Sequence, residues 1–541
     1  MNTADLIDTL LNPETYPHPV EVITTIETHI SIVFLTGQYA YKLKKPVDFG
    51  FLNFSTIERR KQFCKLELSL NRRTAPQLYL GVDKIVKQAN GYTILPIEEN
   101  SDCLFPATND TDRNAIDYLV KMKQFNPNNV LGRLLNDGCL DDQMISALTQ
   151  QIARFHKSAQ AVELSEEYGD PLIQLQPMLD NFPSLQAYFK EDGIEQQLAA
   201  LQNWTNQQFA IHQNQLKERK QQGFVRACHG DLHLDNITLI DNQPVLFDGI
   251  EFNEYFRWID VISDLAFLLI DLDYRKQYAT SYKILSQYLS QTLDYNGLFL
   301  LNFYRVYRTM VRAKITALRA EQLPAKSLEQ KHIEQTALNY IQQATAYTVI
   351  PKTAKCILLQ GVSGSGKSHF ANQLLEGLDG FNAIILSSDR IRKTIFGIDP
   401  QERVAGPEQK RLYSAEMNQK TYQALADYSA ICLQLGFNVI LDATFLKYSH
   451  RQAIYQVAES LSAESYLFSL KTTSETAEQS IQLRQQLNNN PSDASAEVMY
   501  NQLKHIELPL RHENALQLKV KDMRRVFPKD SIQEFLKLPI Y

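Results

Sequence analysis

The chain has 541 residues, 44% hydrophobic and 21% charged, with 55 basic and 61 acidic side chains and a formal charge of -6. Such a composition is globular, suffices for three or four compact units, and argues against a protein that coats nucleic acid through its overall charge. Six scattered cysteines with no CxxC pair supply neither zinc-site spacing nor a disulfide framework, which predicts a reducing compartment. The first residues, MNTADLIDTLLNPETYPHP, hold acids and early prolines in place of a basic stretch and apolar core. No apolar run approaches the ~18 residues that span a bilayer. A soluble cytoplasmic protein with no membrane partner is expected.

In chain order, alternating stretches at EVITTIE, HISIVFL and YAYKLKK predict three strands within residues 19–45. A helix follows over 56–73, with Phe63, Leu66 and Leu70 at helical spacing, and its basic residues (Arg59, Arg60, Lys61, Lys65, Arg72 and Arg73) read as a solvated face. The run IDYLVKMKQF at 116–125 predicts the last strand of a small sheet. Thereafter the pattern is helical to about residue 348, interrupted by strand-like segments near 224–228, 236–240 and 244–247. These elements predict a β-rich lobe over 1–123 and a helical lobe over 124–348. A polar stretch at 349–355 with Pro351 reads as a linker. From 356 to 541 strands and helices alternate (CILLQ, a glycine loop, a helix from 367, AIILSS, NVILD, SYLFSL), which predicts a three-layer α/β domain with a parallel sheet.

Within the helical region stands CHGDLHLDNITLIDNQPVLFDGIEF. His229, Asp231 and Asn236 fit HxDxxxxN, and Asp248 follows the apolar strand VLF. Phosphoryl transfer needs a carboxylate that orients the acceptor and two oxygen ligands for Mg²⁺, and this spacing supplies them. The competing reading is a polar hairpin with Asx turns.

The segment resembles the aminoglycoside phosphotransferase and choline kinase superfamily, which shares the protein-kinase fold. The resemblance implies a bilobal α+β domain that uses ATP and Mg²⁺, with Asp231 as catalytic base and Asn236 and Asp248 as metal ligands. It makes His229 a loop-structuring residue and gives Asp260, expected on the following helix, the task of tying down the catalytic loop. Ala40-Tyr41-Lys42 matches the A-x-K of the third strand, so Lys42 becomes the α/β-phosphate lysine, with Lys44 as rival. Its helix partner is Glu67, with Glu58 competing. No G-x-G-x-x-G precedes Lys42, Gly249-Ile250 follows Asp248, and no A-P-E comes after, absences shared by the small-molecule members. Asp260 and Asp264, four apart on an apolar helix, fit a packing role, while Glu251 would orient the loop or touch substrate.

Residues 361–368, GVSGSGKS, fit GxxxxGK[ST] between an apolar strand and a helix. In such a P-loop the backbone N–H groups of Gly361, Ser363, Gly364, Ser365 and Gly366 curl round phosphate oxygens. Lys367 reaches the β/γ-phosphates and Ser368 ligates Mg²⁺. The next strand runs into SSDRIRK, which places Asp389 at a carboxyl end to accept a hydroxyl proton, with Arg390 or Arg392 steadying phosphate charge. VILDATF puts Asp442 near the same edge as a Mg²⁺ or substrate partner. A helix N-cap for Asp389 and a turn carboxylate for Asp442 are the structural alternatives. These segments resemble the P-loop kinases that include gluconate kinase, polynucleotide kinase and zeta toxin. In that group an arginine-bearing lid closes on the phosphates, which points to Arg484; the following QQLNNN lacks the frequent second arginine.

The whole order resembles bacterial fusions of the two kinase types. It implies an ATP-dependent phosphotransferase with two nucleotide sites acting on hydroxyl groups of small molecules. A regulatory nucleotide sensor and a nucleic-acid-end kinase are the alternatives, the latter disfavoured by the acidic charge.

Overall fold

The computed structural model describes residues 3–50, 52–88, 91–97, 114–349, 353–377, 382–404, 406–487, 495–520 and 529–537. The chain divides into two compact units, one of residues 1–177 with 213–267 and the other of 178–212 with 268–541.

The first unit begins with helix α1 (Thr3–Leu10) and six antiparallel strands: β1 (Thr24–Glu27), β2 (Ser31–Leu35), β3 (Tyr39–Lys44), β4 (Tyr79–Gln88), β5 (Gly91–Pro96) and β6 (Ala115–Lys123). Helix α2 (Ile57–Asn71) lies between β3 and β4 in the chain and is capped by Thr56, whose side chain accepts the Arg59 N–H. The sheet order is β1-β2-β3-β6-β4-β5. Thus β6 is the last strand of this sheet in chain order, as the sequence suggests, and takes an internal place in it beside the β4–β5 hairpin, which the sequence reading lacks. Alternation on β3 decides the site: Tyr41 and Leu43 enter an apolar core with Leu6 and Leu10 of α1, so Lys42 and Lys44 share the opposite face. On α2, Cys64 and Leu68 pack on Tyr118 and Val120 of β6. The basic face of α2 is only partly solvated. Arg60 is buried, with Nε 2.9 Å from Asp117 Oδ1 and Nη1 donating to the Phe54 carbonyl, because Asp117 on β6 offers it a paired site.

The short helix α3 (Leu131–Asn136) and α4 (Asp142–Ser158) follow, then α5 (Pro171–Leu179), α6 (Asn181–Tyr188) and the long α7 (Asp192–Gln221). Strand β7 (Val225–Ala227) precedes a hairpin of β8 (Ile237–Ile240) and β9 (Gln243–Leu246). The two-residue turn of that hairpin, Asp241-Asn242, has φ of 50° and 60°, the left-handed geometry that suits strand twist. Helix α8 (Glu254–Arg257), strand β10 (Trp258–Asp260), which pairs with β7, and helix α9 (Val261–Tyr274) complete the segment. The division between the units falls within α5, α7 and α9.

The second unit holds α10 (Tyr278–Thr292), α11 (Leu298–Glu321) and α12 (Leu328–Ala346), with Val306 and Met310 of α11 and Tyr340 and Ile341 of α12 in a core shared with Phe182 and Leu185 of α6. The α/β part contains β11 (Lys355–Gln360), α13 (Lys367–Gly377), β12 (Ala383–Ser387), α14 (Ser388–Phe396), α15 (Gly406–Leu412) and α16 (Ala415–Gln434). It continues with β13 (Asn438–Asp442), α17 (Tyr448–Ser460), β14 (Glu464–Lys471), α18 (Ser474–Leu487), α19 (Ala496–His505), β15 (Ala515–Lys519) and α20 (Lys529–Phe535). Five parallel strands are ordered β12-β13-β11-β14-β15. Helix α10 is seated on this part. Its Tyr282 packs on the core around Phe370, and Lys283 Nζ pairs with Glu376 at 2.9 Å. Ser286 Oγ accepts the Ile385 N–H of edge strand β12 at 3.0 Å, and Tyr295 stacks on Tyr428. The polar stretch at 349–355 therefore separates chain segments that fold into one compact unit.

Candidate functional site

In the first unit, β3 and α2 bring Lys42, Lys44 and Glu67 together. The Glu67 carboxylate has no solvent exposure; Oε1 takes Lys42 Nζ at 2.9 Å and Oε2 takes Lys44 Nζ at 2.6 Å. Lys42 also reaches Asp248 Oδ1 at 2.5 Å, and Lys44 pairs with Glu251. The rivalry between the two lysines resolves into a shared carboxylate with different second partners. Burial opposes ionisation of Glu67, yet the two ammonium groups outweigh it and bring its pKa down to about 2. Burial also works against the charge of Lys42, but Asp248 and Glu67 hold its pKa well above the usual lysine value. Glu58 sits in the exposed first turn of α2, where its own backbone N–H and the Thr56 hydroxyl lower its pKa.

The catalytic-loop candidates lie in the same unit. Asn236 Nδ2 donates to both the carbonyl and Oδ2 of Asp231, each at 3.0 Å, so its Oδ1 is the atom left for a cation. His233 Nε2 is 3.4 Å from Asp231 Oδ2. Asp248 has φ 62°, a conformation non-glycine residues adopt at a cost and one that recurs at functional sites. Neighbouring contacts hold it there: its N–H donates to Tyr79 Oη at 3.1 Å, and the Gly249 N–H donates to Asn71 Oδ1 at 2.8 Å. His229 donates from Nε2 to the Phe247 carbonyl at 2.9 Å, and burial lowers its pKa, so it stays neutral and joins the loop to the strand before Asp248.

The tether of this loop is Asp264, where the sequence pointed to Asp260. Asp260 ends β10, ahead of the helix, and is bonded to Arg219 Nε at 2.6 Å and Nη2 at 2.8 Å. Asp264, in the first turn of α9, accepts the His229 N–H at 3.0 Å, the Gly230 N–H at 2.8 Å and His156 Nε2 at 3.1 Å. Two carboxylates four residues apart on an apolar helix look alike in sequence, and only the packing of α4 and the loop separates them. Glu251, which the sequence offers to the loop or the substrate, is buried and pairs with Lys44, and no signal in the sequence marks that pairing.

In the second unit, the P-loop joins β11 to α13. Gly364 and Gly366 have φ of +84° and +87°, and a Cβ on Gly364 would lie 2.4 Å from the Ala477 carbonyl oxygen. A Cβ on Gly361 would meet Ser365 Oγ at 2.4 Å. The tight loop therefore needs its glycines, as a phosphate cradle does. Lys367 Nζ lies 2.9 Å from the carbonyls of Gly361 and Val362, and Ser363 N–H donates to Gln502 Oε1 at 2.7 Å. Asp442, at the end of β13, accepts Ser368 Oγ–H at 2.6 Å, so two oxygen donors suited to Mg²⁺ already adjoin. Asp389 lies in the first turn of α14 and pairs with Arg392 Nη1 at 3.1 Å. Arg392 Nη2 donates to Asn418, and its guanidinium lies over Tyr413. The Arg390 guanidinium, whose pKa burial lowers, faces Asp442 and Asp399 and has an unpartnered Nη1. Arg484 belongs to α18, but its side chain lies outside the described residues, as does Cys103. Among the described residues no helix is long and apolar enough to cross a membrane.

Residues 130–294 match a family model described as a phosphotransferase enzyme family, and residues 356–509 one described as an AAA domain. An uncharacterized protein of Mycobacterium tuberculosis (strain ATCC 25618 / H37Rv) is 26% identical over 432 residues, which is 79% of this chain and 80% of that one. Among solved structures, amicoumacin kinase hAmiN in complex with AMP-PNP, Ca²⁺ and Ami is 16% identical over 64% of this chain and 94% of its own, with a TM-score of 0.37. A gluconokinase from Sinorhizobium meliloti 1021 is 18% identical over 35% of this chain and 90% of its own, with a TM-score of 0.24. Neither family match favours a regulatory nucleotide sensor or a nucleic-acid-end kinase.

Proposed function

We propose, from the premise that this chain is a phosphotransferase joining a phosphotransferase-family, protein-kinase-like domain to a P-loop kinase domain, that each domain moves a γ-phosphoryl group from ATP to a hydroxyl of a small molecule. The observation that carries this reading is the occurrence, in two separate compact units, of one phosphate-reaching lysine beside adjoining donors for a divalent cation. The lobes are assigned to 1–123 and 124–348, the linker to 349–355 and the P-loop kinase domain to 356–541, in a cytoplasmic protein.

In the first domain Lys42, aligned by Glu67, holds the α/β-phosphates. Asp231 accepts the proton of the acceptor hydroxyl as its oxygen bonds to the γ-phosphorus and the bond to the ADP oxygen breaks. Asn236 and Asp248 are the ligands for Mg²⁺. In the second, the amides of Gly364 and Gly366 cradle the phosphates, those of Gly361 and Ser365 being bonded to the Thr444 and Val362 carbonyls at 3.2 Å and that of Ser363 to Gln502; Lys367 reaches the β/γ end, and Ser368 and Asp442 are the metal donors. Asp389 receives the acceptor proton, and Arg484 closes on the phosphates. A Mg²⁺ ion held by these donors would supply neutralisation of phosphate charge; position and proton transfer come from the side chains named.

The test is ADP release by the intact protein with MgATP and a pooled library of small alcohols, comparing Asp231→Asn, Lys367→Ala and the double variant. Each single change is expected to remove one acceptor-stimulated activity, and the double variant both. Undiminished release by the double variant would sink the reading.

A further inference from the structure

Strand period puts Lys44 on the same face of β3 as Lys42, and the Glu67 carboxylate of α2 gives one oxygen to each. Lys42 continues to Asp248 and Lys44 to Glu251, three residues further along the same segment. The contacts therefore run Asp248–Lys42–Glu67–Lys44–Glu251, and the backbone from 248 to 251 closes them into a ring. A second link crosses it: Asn71 Nδ2 donates to the Glu67 carbonyl at 2.9 Å, while Asn71 Oδ1 takes the Gly249 N–H at 2.8 Å. The Lys44 side chain is 1% exposed and that of Glu251 4%, and the Lys44 ammonium lies 4.8 Å from the centroid of the Phe54 ring. Burial works against the Lys44 charge, but Glu251 and Glu67 outweigh it and hold its pKa above the usual lysine value. A charge with no route to water keeps its partners, so the ring fixes distances that a solvated pair would leave loose. Asp248 is the member that opens outward, with 42% of its side chain exposed. The buried part of the ring thus backs the one carboxylate that is free to meet a cation.

We propose that Lys44 and Glu251 are positioning residues of the first site, which fix Asp248 relative to Lys42 and so set the affinity of the site for a metal-bound nucleotide. They act through Glu67 on one side and through the backbone from 248 to 251 on the other. The inference rests on the reading of Asp248 as a metal ligand and of Lys42 as the phosphate lysine. Position and charge make opposite forecasts here. If the pair acted by its field alone, loss of the Glu251 carboxylate would weaken cation binding and loss of the Lys44 ammonium would strengthen it. A ring that holds geometry is loosened by either loss, so both should weaken it. Groups that orient a metal ligand from behind are worth about tenfold to a hundredfold in metal affinity.

The experiment uses the full chain with Lys367→Ala throughout, to silence the P-loop. Binding of a fluorescent, non-hydrolysable ATP analogue is followed as Mg²⁺ is raised, at a temperature well below the melting transition. The parent is compared with Glu251→Gln, which keeps shape without charge, with Glu251→Asp, which keeps charge on a side chain one methylene shorter, and with Lys44→Met. The Mg²⁺ midpoint is expected to rise about tenfold in all three. Lys44→Met combined with Glu251→Gln should rise no further than the larger single change, because the two residues act as one unit. A midpoint that stays in place in any of the three, even with a lower melting temperature, makes the pair merely structural and overturns the inference. A midpoint that falls in Lys44→Met is the signature of charge and overturns it too. If Lys44→Met does not fold, the two Glu251 variants decide by the same criterion. Asp248→Asn is the control for the site: if it leaves the midpoint unmoved, Asp248 is not the metal ligand, and the underlying reading fails along with the inference.

Discussion

Replacing Glu67 by Gln tests how the first unit holds its charges. The carboxylate lies between two ammonium groups at 2.9 and 2.6 Å, with none of its side chain exposed and only 1% of the Lys44 side chain. The amide keeps the shape but removes the negative charge, which leaves two buried cations to share Asp248 and Glu251. Breaking a buried pair by neutralising one partner costs about 3–5 kcal/mol, because the stranded charge cannot regain water. For a unit of this size each kcal/mol moves the melting temperature by roughly 2–4 °C, so a drop of about 6–20 °C is expected in the transition of the first unit. Differential scanning calorimetry of the intact chain reads it, and the transition of the second unit should stay in place. A first-unit transition within ~2 °C of the parent would refute the reasoning, because Asp248 and Glu251 alone would then suffice to neutralise both lysines.

Asp264→Ala leaves the His229 and Gly230 amides and His156 without their acceptor; a loss of about 2–4 kcal/mol is expected, seen as an earlier melt together with loss of Asp231-dependent turnover. Gly364→Ala puts a Cβ 2.4 Å from a backbone oxygen at φ +84°, so nucleotide displacement at the P-loop should be abolished; normal binding would contradict the described loop. Stability should fall with acid in two stages. Both His229 and Glu67 have folded pKa values below their unfolded ones, so each contributes fully above its unfolded pKa. The His229 contribution declines as pH drops below about 6.5, and that of Glu67 is lost from about 4.5 down to about 2; melting temperatures that stay flat from pH 7 to 3 would refute this. Residues 353–541 expressed alone lose Tyr295 from Tyr428 and Ser286 from the edge amide of Ile385, and are expected to aggregate on size-exclusion chromatography. A monodisperse monomer would show α10 to be dispensable.

Chemistry that depends on near neighbours was legible from the sequence. The loop GVSGSGKS, the strand before it and the helix after it are local, since glycines at fixed offsets allow the turn and alternation sets the flanking strand. The same holds for the spacing of Asp231 and Asn236, five residues apart in one loop. The identity of long-range partners was not legible. Lys42 and Lys44 carry the same signal on one face of one strand, and what separates them is whether Asp248 or Glu251, both more than 200 residues away, comes to meet each. Asp260 and Asp264 are equivalent on paper; the fold gives one to Arg219 and the other to the loop amides. The central place of β6, the seat of α10 on the parallel sheet and the reach of Gln502 to Ser363 likewise rest on contacts across large sequence separations. A sequence determines which groups a segment can offer, through backbone preference and side-chain period; which of several equal offers is taken depends on burial, where an unpaired charge or amide is costly, and burial exists only once the chain has packed.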